Sequence, residues 1–341
     1  MLNRVSAAVA LVALLVSASA GQTVNGGGAT FPYPIYAQWF DTYQKLRHGI
    51  EINYAPVGSG EGIRRLVAGE WDFGASDGPM SDEQLAEAQA KLHTEVMHFP
   101  TVLGAAVPAY NIPGMREELR FTPEALSGIF LGTVRIWNDP VIAQNNPQLR
   151  LPPNPIVVVH RSDGSGTTYC WTDYLSKVSA EWRRRAGKGT SVPWPAGLAA
   201  KGNDGVSGLI KQTPYSIGYV ELTYAIQNDI PFGSVRNSAG NFVKANLASV
   251  SAAASSAAKD IPNHFRVSIT DPPGAAAYPV ATFTWLLIPR NSRGAAQQKA
   301  LAGFLRWALT DGQRMVEGLG YAPLPKEIAA REIKVLAAIG R

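Results

Sequence analysis

A single cysteine, Cys170, stands among 341 residues, so no internal disulfide can form. It falls one turn into the helix expected after Gly166, too deep to face a ligand at the helix mouth, and reads as a packed core thiol. The five histidines (48, 93, 98, 160 and 264) are scattered, and none makes an H-x-x-x-H pair, so metal-ligand spacing is absent. Charged residues are scarce, 17% against 46% apolar, which excludes a disordered chain and allows large cores. The basic excess is small, a net charge of +5, and the longest Lys/Arg block is Arg183-Arg184-Arg185. With no nucleic-acid motif beside it, no nucleic-acid partner is expected, but a diffuse positive field draws in small anions. Beyond residue 20 no apolar run is long enough to span a bilayer.

What is present points elsewhere. The length suits roughly two domains. Residues 1–20 have the layout of a secretory signal: Arg4 as basic n-region, Val5 to Val16 as apolar h-region, Ala18-Ser19-Ala20 as cleavage site. No Cys follows that site, which argues against lipid attachment there. Export, and a periplasmic location, are the expectation.

The most informative stretch is His160-Arg161-Ser162-Asp163-Gly164-Ser165-Gly166-Thr167-Thr168. The apolar run Ile156 to Val159 before it reads as a buried strand. Trp171, Tyr174, Leu175, Val178 and Trp182 after it recur at helical spacing. A strand-to-helix turn aims free backbone N–H groups, and the positive end of the helix dipole, at one spot. Gly164 and Gly166 allow close approach, Ser165 and Thr167 add hydroxyls, and Arg161 adds a charged fork. The combination reads as an oxyanion receptor.

Three further glycine turns of the same kind lie near the amino terminus. Gly26-Gly27-Gly28-Ala29-Thr30-Phe31-Pro32 leads into a helix with Ile35, Trp39, Phe40 and Tyr43 inward. Gly58-Ser59-Gly60-Glu61-Gly62 follows the strand Glu51 to Ala55; there Glu61 would compete with a bound anion. Phe73-Gly74-Ala75-Ser76-Asp77-Gly78-Pro79 precedes a Ser81/Gln84 capping box. Farther on, Val96 to Val107 reads as two strands around Pro100, crossing between domains. Gly202-Asn203-Asp204-Gly205 opens a helix, Ile217 to Val220 and Thr282 to Ile288 read as strands, and residues 295–309 as a helix. Strands alternating with helices imply an α/β protein with parallel sheets, whose ligands bind beyond the carboxyl ends of the strands.

Gly74-Ala75-Ser76-Asp77-Gly78 also fits G-x-S-x-G, the nucleophile elbow of serine hydrolases. The elbow needs a helix directly after the serine, whereas Pro79 and the Ser81 cap place it several residues later. A binder of another oxyanion, sulfate or molybdate, is the other open reading. No catalytic residue, metal or cofactor is assigned.

Four segments taken together resemble the periplasmic phosphate-binding proteins that feed the ABC phosphate importer. They are Gly-Ala-Thr-Phe-Pro (28–32), Val-Gly-Ser-Gly (57–60), Asp-Phe-Gly-Ala-Ser-Asp (72–77) and Arg-Ser-Asp-Gly-Ser-Gly-Thr (161–167). The resemblance implies a two-lobed type II binding-protein fold, two parallel or mixed sheets flanked by helices, with a cleft and a two-strand hinge. It implies lobe I over 21–103 plus 278–341 and lobe II over 104–277. It implies phosphate held by Thr30, Phe31 (backbone), Ser59 and Asp77 from one lobe and by Arg161, Ser165, Gly166 (backbone) and Thr167 from the other. Asp163 would hold the Arg161 fork. It also implies a monomer serving the permease and ATPase subunits of an importer. Phosphate near neutral pH carries a proton that Asp77 can accept, whereas sulfate has none to offer.

Overall fold

The computed structural model describes residues 22–291, 294–337 and 339, so the signal segment 1–20 lies outside the described residues. The strands are β1 (Gln22–Gly28), β2 (Ile50–Ala55), β3 (Phe73–Ser76), β4 (Val96–Asn111), β5 (Arg120–Phe121), β6 (Val157–Arg161), β7 (Leu198–Ala200), β8 (Ser216–Glu221), β9 (Ser234–Arg236), β10 (Phe242–Val243) and β11 (Ala281–Pro289). The helices are α1 (Tyr33–Leu46), α2 (Ser59–Val67), α3 (Asp82–Leu92), α4 (Pro123–Leu131), α5 (Pro140–Ala143), α6 (Gly166–Val178), α7 (Ala180–Arg185), α8 (Gly202–Gln212), α9 (Leu222–Gln227), α10 (Leu247–Ala257), α11 (Ala295–Ala308) and α12 (Lys326–Leu336).

An eight-stranded sheet runs β2-β1-β3-β11-β4-β8-β6-β7, beside a small sheet β10-β9-β5. The eight-stranded sheet is mixed and has two halves joined through β4. Its first part pairs with β11 as far as Ala105↔Ala281, and its second part with β8 from Ala106↔Glu221 onward. The stretch around Pro100 is thus one strand of 16 residues, not two. It continues through the proline because the ladder slips there. Thr284 faces Val102 and Trp285 faces Pro100, leaving Thr101 as an unmatched bulge residue. β1/β2, β1/β3, β6/β7 and β6/β8 are parallel, while β11 runs antiparallel to both its neighbours.

Gly26, Gly27 and Gly28 are strand rather than turn, and the reason is crowding. A Cβ there would come within 2.5 Å of the Phe73 ring, 2.3 Å of Ala55 O and 2.1 Å of Ala75 O, respectively. Only glycine lets β1 lie this close to its surroundings. The α1 stripe Ile35, Tyr36, Trp39, Phe40 and Tyr43 is buried, and Phe40 meets Phe304 of α11 with ring centres 4.9 Å apart. On the other side Trp171 stacks on Tyr219 at 5.4 Å. The helix carrying Trp171 ends at Val178; Ser179 caps α7, which holds Trp182. Cys170 is buried, as expected of a core thiol, and desolvation pushes its thiol well up. Among the described residues no helix is long and apolar enough to cross a membrane.

Glu332 of α12 is fully buried, and among the described residues neither of its side-chain oxygens has a hydrogen-bond partner. Burial pushes its pKa well above the ordinary 4.5, opposed only by the charge of Arg331. A carboxyl with a raised folded pKa binds its proton more tightly in the fold. Its stabilising effect is therefore full at acid pH and is lost as pH climbs from 4.5 toward the folded value. Glu332→Met is expected to raise stability at alkaline pH by about 1–3 kcal/mol and to flatten that decline. Thermal melts of both proteins across pH check this.

Candidate functional site

The carboxyl end of β3, the mouths of α1, α2 and α6, and the start of α8 converge. Thr30, Ser59, Asp77, Arg161, Ser165 and Thr167 are each no more than 4% exposed there. Side-chain and backbone contacts join segments far apart in sequence. Ser59 Oγ accepts from Gly166 N at 3.0 Å and from Asp77 N at 3.3 Å. Gly60 N donates to Gly164 O at 2.8 Å.

The hydroxyls matter because of what already occupies their oxygens. Thr30 Oγ1 accepts from Asn203 Nδ2 at 2.9 Å. Thr167 Oγ1 accepts from Asn203 Nδ2 at 3.2 Å and from Arg161 Nη1 at 3.3 Å. Ser165, the cap of α6, accepts from Thr168 N at 3.0 Å. Among the described residues none of these three donates to a protein group, so their protons are left to point at a ligand. The backbone N–H groups of Phe31, Ser59 and Thr167 likewise meet no protein acceptor among the described residues. Such N–H groups at helix mouths attract an anion. The Phe31 ring itself is buried in the core, so only its backbone can take part.

Two charges face this space. Asp163 grips the Arg161 guanidinium through Nε at 2.8 Å and Nη2 at 2.5 Å. Burial pushes Asp163 up, but Arg161 more than offsets this and holds it below the usual carboxylate range. Asp163 also accepts from Gly202 N at 3.0 Å, tying the β6 turn to α8. Arg161 N donates to Tyr219 Oη at 3.1 Å, fixing the strand that carries it. Asp77 is the opposite charge. Its Oδ1 accepts from Thr284 Oγ1 at 2.7 Å, and a Cβ built on Gly166 would fall 2.4 Å from its Oδ2. Burial pushes Asp77 up to about 7, against the hydrogen bond from Thr284, the charge of Arg161 and the Ser59 hydroxyl.

Every site residue expected from the sequence therefore lies in one cluster, with two changes of detail. Ser59 is the first helical residue of α2 and not its cap, which is Gly58. Gly166 N is directed at Ser59 Oγ. Glu61 does not compete for an anion, because Arg64 and Arg65 bind it at 2.7 Å each and hold its carboxyl down at about 2. Ser76, the elbow candidate, hydrogen-bonds Gly78 O at 2.6 Å within a turn, and the next helix begins only at Asp82. The buried His98 accepts from Met80 N and is no partner for it.

The sequence reading misses Asn203, Thr284 and three tyrosines. Tyr54, Tyr224 and Tyr321 donate, each at 2.6 Å, to the consecutive carbonyls of Ala29, Thr30 and Phe31. With those carbonyls held, the N–H side of the turn is fixed toward the cluster. Only the Gly-Asn-Asp-Gly pattern at 202–205 hinted at any of them.

Comparison with known proteins places this geometry. The PBP superfamily domain matches residues 16–312. The phosphate-binding protein PstS of Pasteurella multocida is 42% identical over 323 residues, covering 93% of this chain and 92% of its own. The PstS of Methanocaldococcus jannaschii is 38% identical over 321 residues, covering 89% and 82%. Among solved structures, a high-affinity periplasmic phosphate-binding protein (PfluDING) bound with phosphate at pH 8.5 superimposes with TM-score 0.73 over 93% of each chain, at 23% identity. Identity at this level over nine tenths of both sequences, on the same fold, means that the chain belongs to the PstS family of the PBP superfamily.

Proposed function

We propose that the cluster of Thr30, Phe31 (backbone), Ser59, Asp77, Arg161, Ser165, Gly166 (backbone) and Thr167 captures inorganic phosphate for delivery to an ABC importer. One observation carries this: a buried site rich in donors holds, among the described residues, one carboxylate, Asp77, that is not tied up by Arg161 as Asp163 is. Free hydroxyl protons, free N–H groups and Arg161 suit the oxygens of an anion. Asp77 suits only an anion that brings a proton of its own. Sulfate and molybdate, unprotonated near neutral pH, would set oxygen lone pairs against the carboxylate. The PstS relatives are named for phosphate binding, which agrees with this choice.

Lobes divided as 21–103 plus 278–341 and 104–277 fit the switch of β4 from β11 to β8 between Ala105 and Ala106. Opening about that strand would separate Ser59 from Gly166 and Thr30 from Asn203, exposing the donors. Export through residues 1–20 would place the protein where the permease and ATPase subunits receive its cargo. The test is calorimetry on the mature chain with phosphate and with sulfate. Phosphate is expected to win by on the order of 10³-fold, the effect of an unpaired repulsive contact of several kcal/mol in a dry cleft. Equal uptake of the two ions would overturn the proposal.

A further inference from the structure

Asp77 has two carboxyl oxygens, and only one of them can serve the anion. Thr284 of β11 donates to Oδ1 at 2.7 Å from a wholly buried position. Oδ2 points instead to the mouth of α6, beside Gly166 Cα and Ser59 Oγ. Thr284 is itself held. Its carbonyl accepts from Thr101 Oγ1 at 3.2 Å, and Thr101 Oγ1 pairs with Tyr36 Oη at 2.6 Å. Thr101 is the bulge residue, the position at which β4 and β11 lose register. A bulge re-aims side chains beside a site, and here it sets the strand that presents Thr284.

Resting on the phosphate reading, we propose that Thr284 is the positioning residue for selectivity: it occupies Asp77 Oδ1 and leaves Oδ2, beside the Ser59 hydroxyl, turned to the ligand proton. Without the hydroxyl, Oδ1 is buried unpaired, and the carboxyl gains freedom to rotate or to keep a proton. A protonated Asp77 is a donor, and a donor welcomes sulfate.

The titratable groups that act on Asp77 are Arg161 from β6, Tyr36 from α1, Tyr54 from β2, Cys170 from α6, Glu221 at the end of β8, Tyr224 from α9 and Tyr321. Burial pushes the tyrosines and the thiol upward, so near neutral pH these are uncharged, and it pushes the Glu221 carboxyl upward as well. Arg161 is the one cation among them. None of these groups changes in a Thr284 variant, so a shift in the pH at which sulfate becomes excluded reports the Asp77–Thr284 pair.

The experiment measures phosphate and sulfate affinity against pH for the wild type, Thr284→Val and Thr284→Ser. In Thr284→Val the onset of sulfate exclusion is expected to move to higher pH. Phosphate affinity near pH 8 is expected to fall roughly tenfold or more, the effect of losing a hydrogen bond to a charged group. Thr284→Ser, which keeps the hydroxyl, is expected to restore both. If Thr284→Val does not fold, Thr284→Ala makes the same comparison without setting a methyl against Asp77 Oδ1. A wild type that discriminates, paired with a hydroxyl-free variant of unmoved onset, would overturn the role of Thr284 alone. A Thr284→Ser that behaves like the hydroxyl-free variant would overturn it too. A wild type that fails to discriminate would overturn the phosphate reading instead.

Discussion

Asp77→Asn is expected to admit sulfate, raising its affinity by on the order of 10³-fold near pH 8. The asparagine amide presents N–H donors where the ionised carboxylate presents lone pairs, so an unprotonated oxygen becomes a good neighbour. Phosphate loses an acceptor and gains a donor, so its affinity changes far less than that of sulfate. The pH dependence sharpens the test. With Asp77 pushed up to about 7 by burial, the wild-type carboxyl is protonated below that pH and ionised above it. Sulfate exclusion should therefore strengthen as pH rises through about 7 in the wild type, and be absent at every pH in Asp77→Asn. Competitive titrations of the two ions at pH values on both sides of 7 check both statements. An Asn variant that still rejects sulfate would remove Asp77 from the selectivity argument.

Gly166→Ala is the second large effect, and it acts by volume rather than charge. The added methyl would lie 2.4 Å from Asp77 Oδ2 and 2.5 Å from Ser59 Oγ, two groups assigned to the ligand. Alanine is otherwise the better residue in a helix by about 1 kcal/mol, so no loss can be charged to α6 itself. The overpacking costs typically 1–3 kcal/mol of stability, which a protein of this size tolerates. The site tolerates it less, because the methyl separates Ser59 from Gly166 N and fills the space before Oδ2. Phosphate affinity is expected to fall at least about a hundredfold, corresponding to ~3 kcal/mol. Far-UV circular dichroism should remain that of the wild type. Near-normal affinity would show that the anion does not lie between α6 and Asp77.

The parts of this site that could be read in the sequence are those whose meaning is local. A strand, a small-residue turn and a helix with an apolar stripe mark the turns that carry Ser59, Asp77 and Ser165, and the resemblance of the four segments taken together is what assigns Ser59 and Asp77 to an anion. Asn203 and Thr284 have no such signature. Each matters for a partner far along the chain: Asn203 meets Thr30 from 173 positions away, and Thr284 meets Asp77 from 207. Propensity cannot report contacts made only when the sheet assembles. Gly26 to Gly28 were misleading for a related reason. Three glycines normally mark a turn, yet here they answer to the Phe73 ring and to neighbouring backbone. Pro100 broke the β4 reading because nothing local discloses the bulge that accommodates it. Glu61 looked like a competitor because helix position alone does not reveal that Arg64 and Arg65 turn it aside.

The three phenols that grasp the Ala29–Phe31 carbonyls come from residues 54, 224 and 321. The last of these lies 290 positions beyond Phe31, whose carbonyl it holds. A chain emerging amino end first thus displays Thr30 and Phe31 early, yet cannot lock their turn until residue 321 has followed. Order in this turn is in this sense a late acquisition. A chain still short of residue 321 holds Thr30 and Phe31 in a turn that lacks one of its three fastenings.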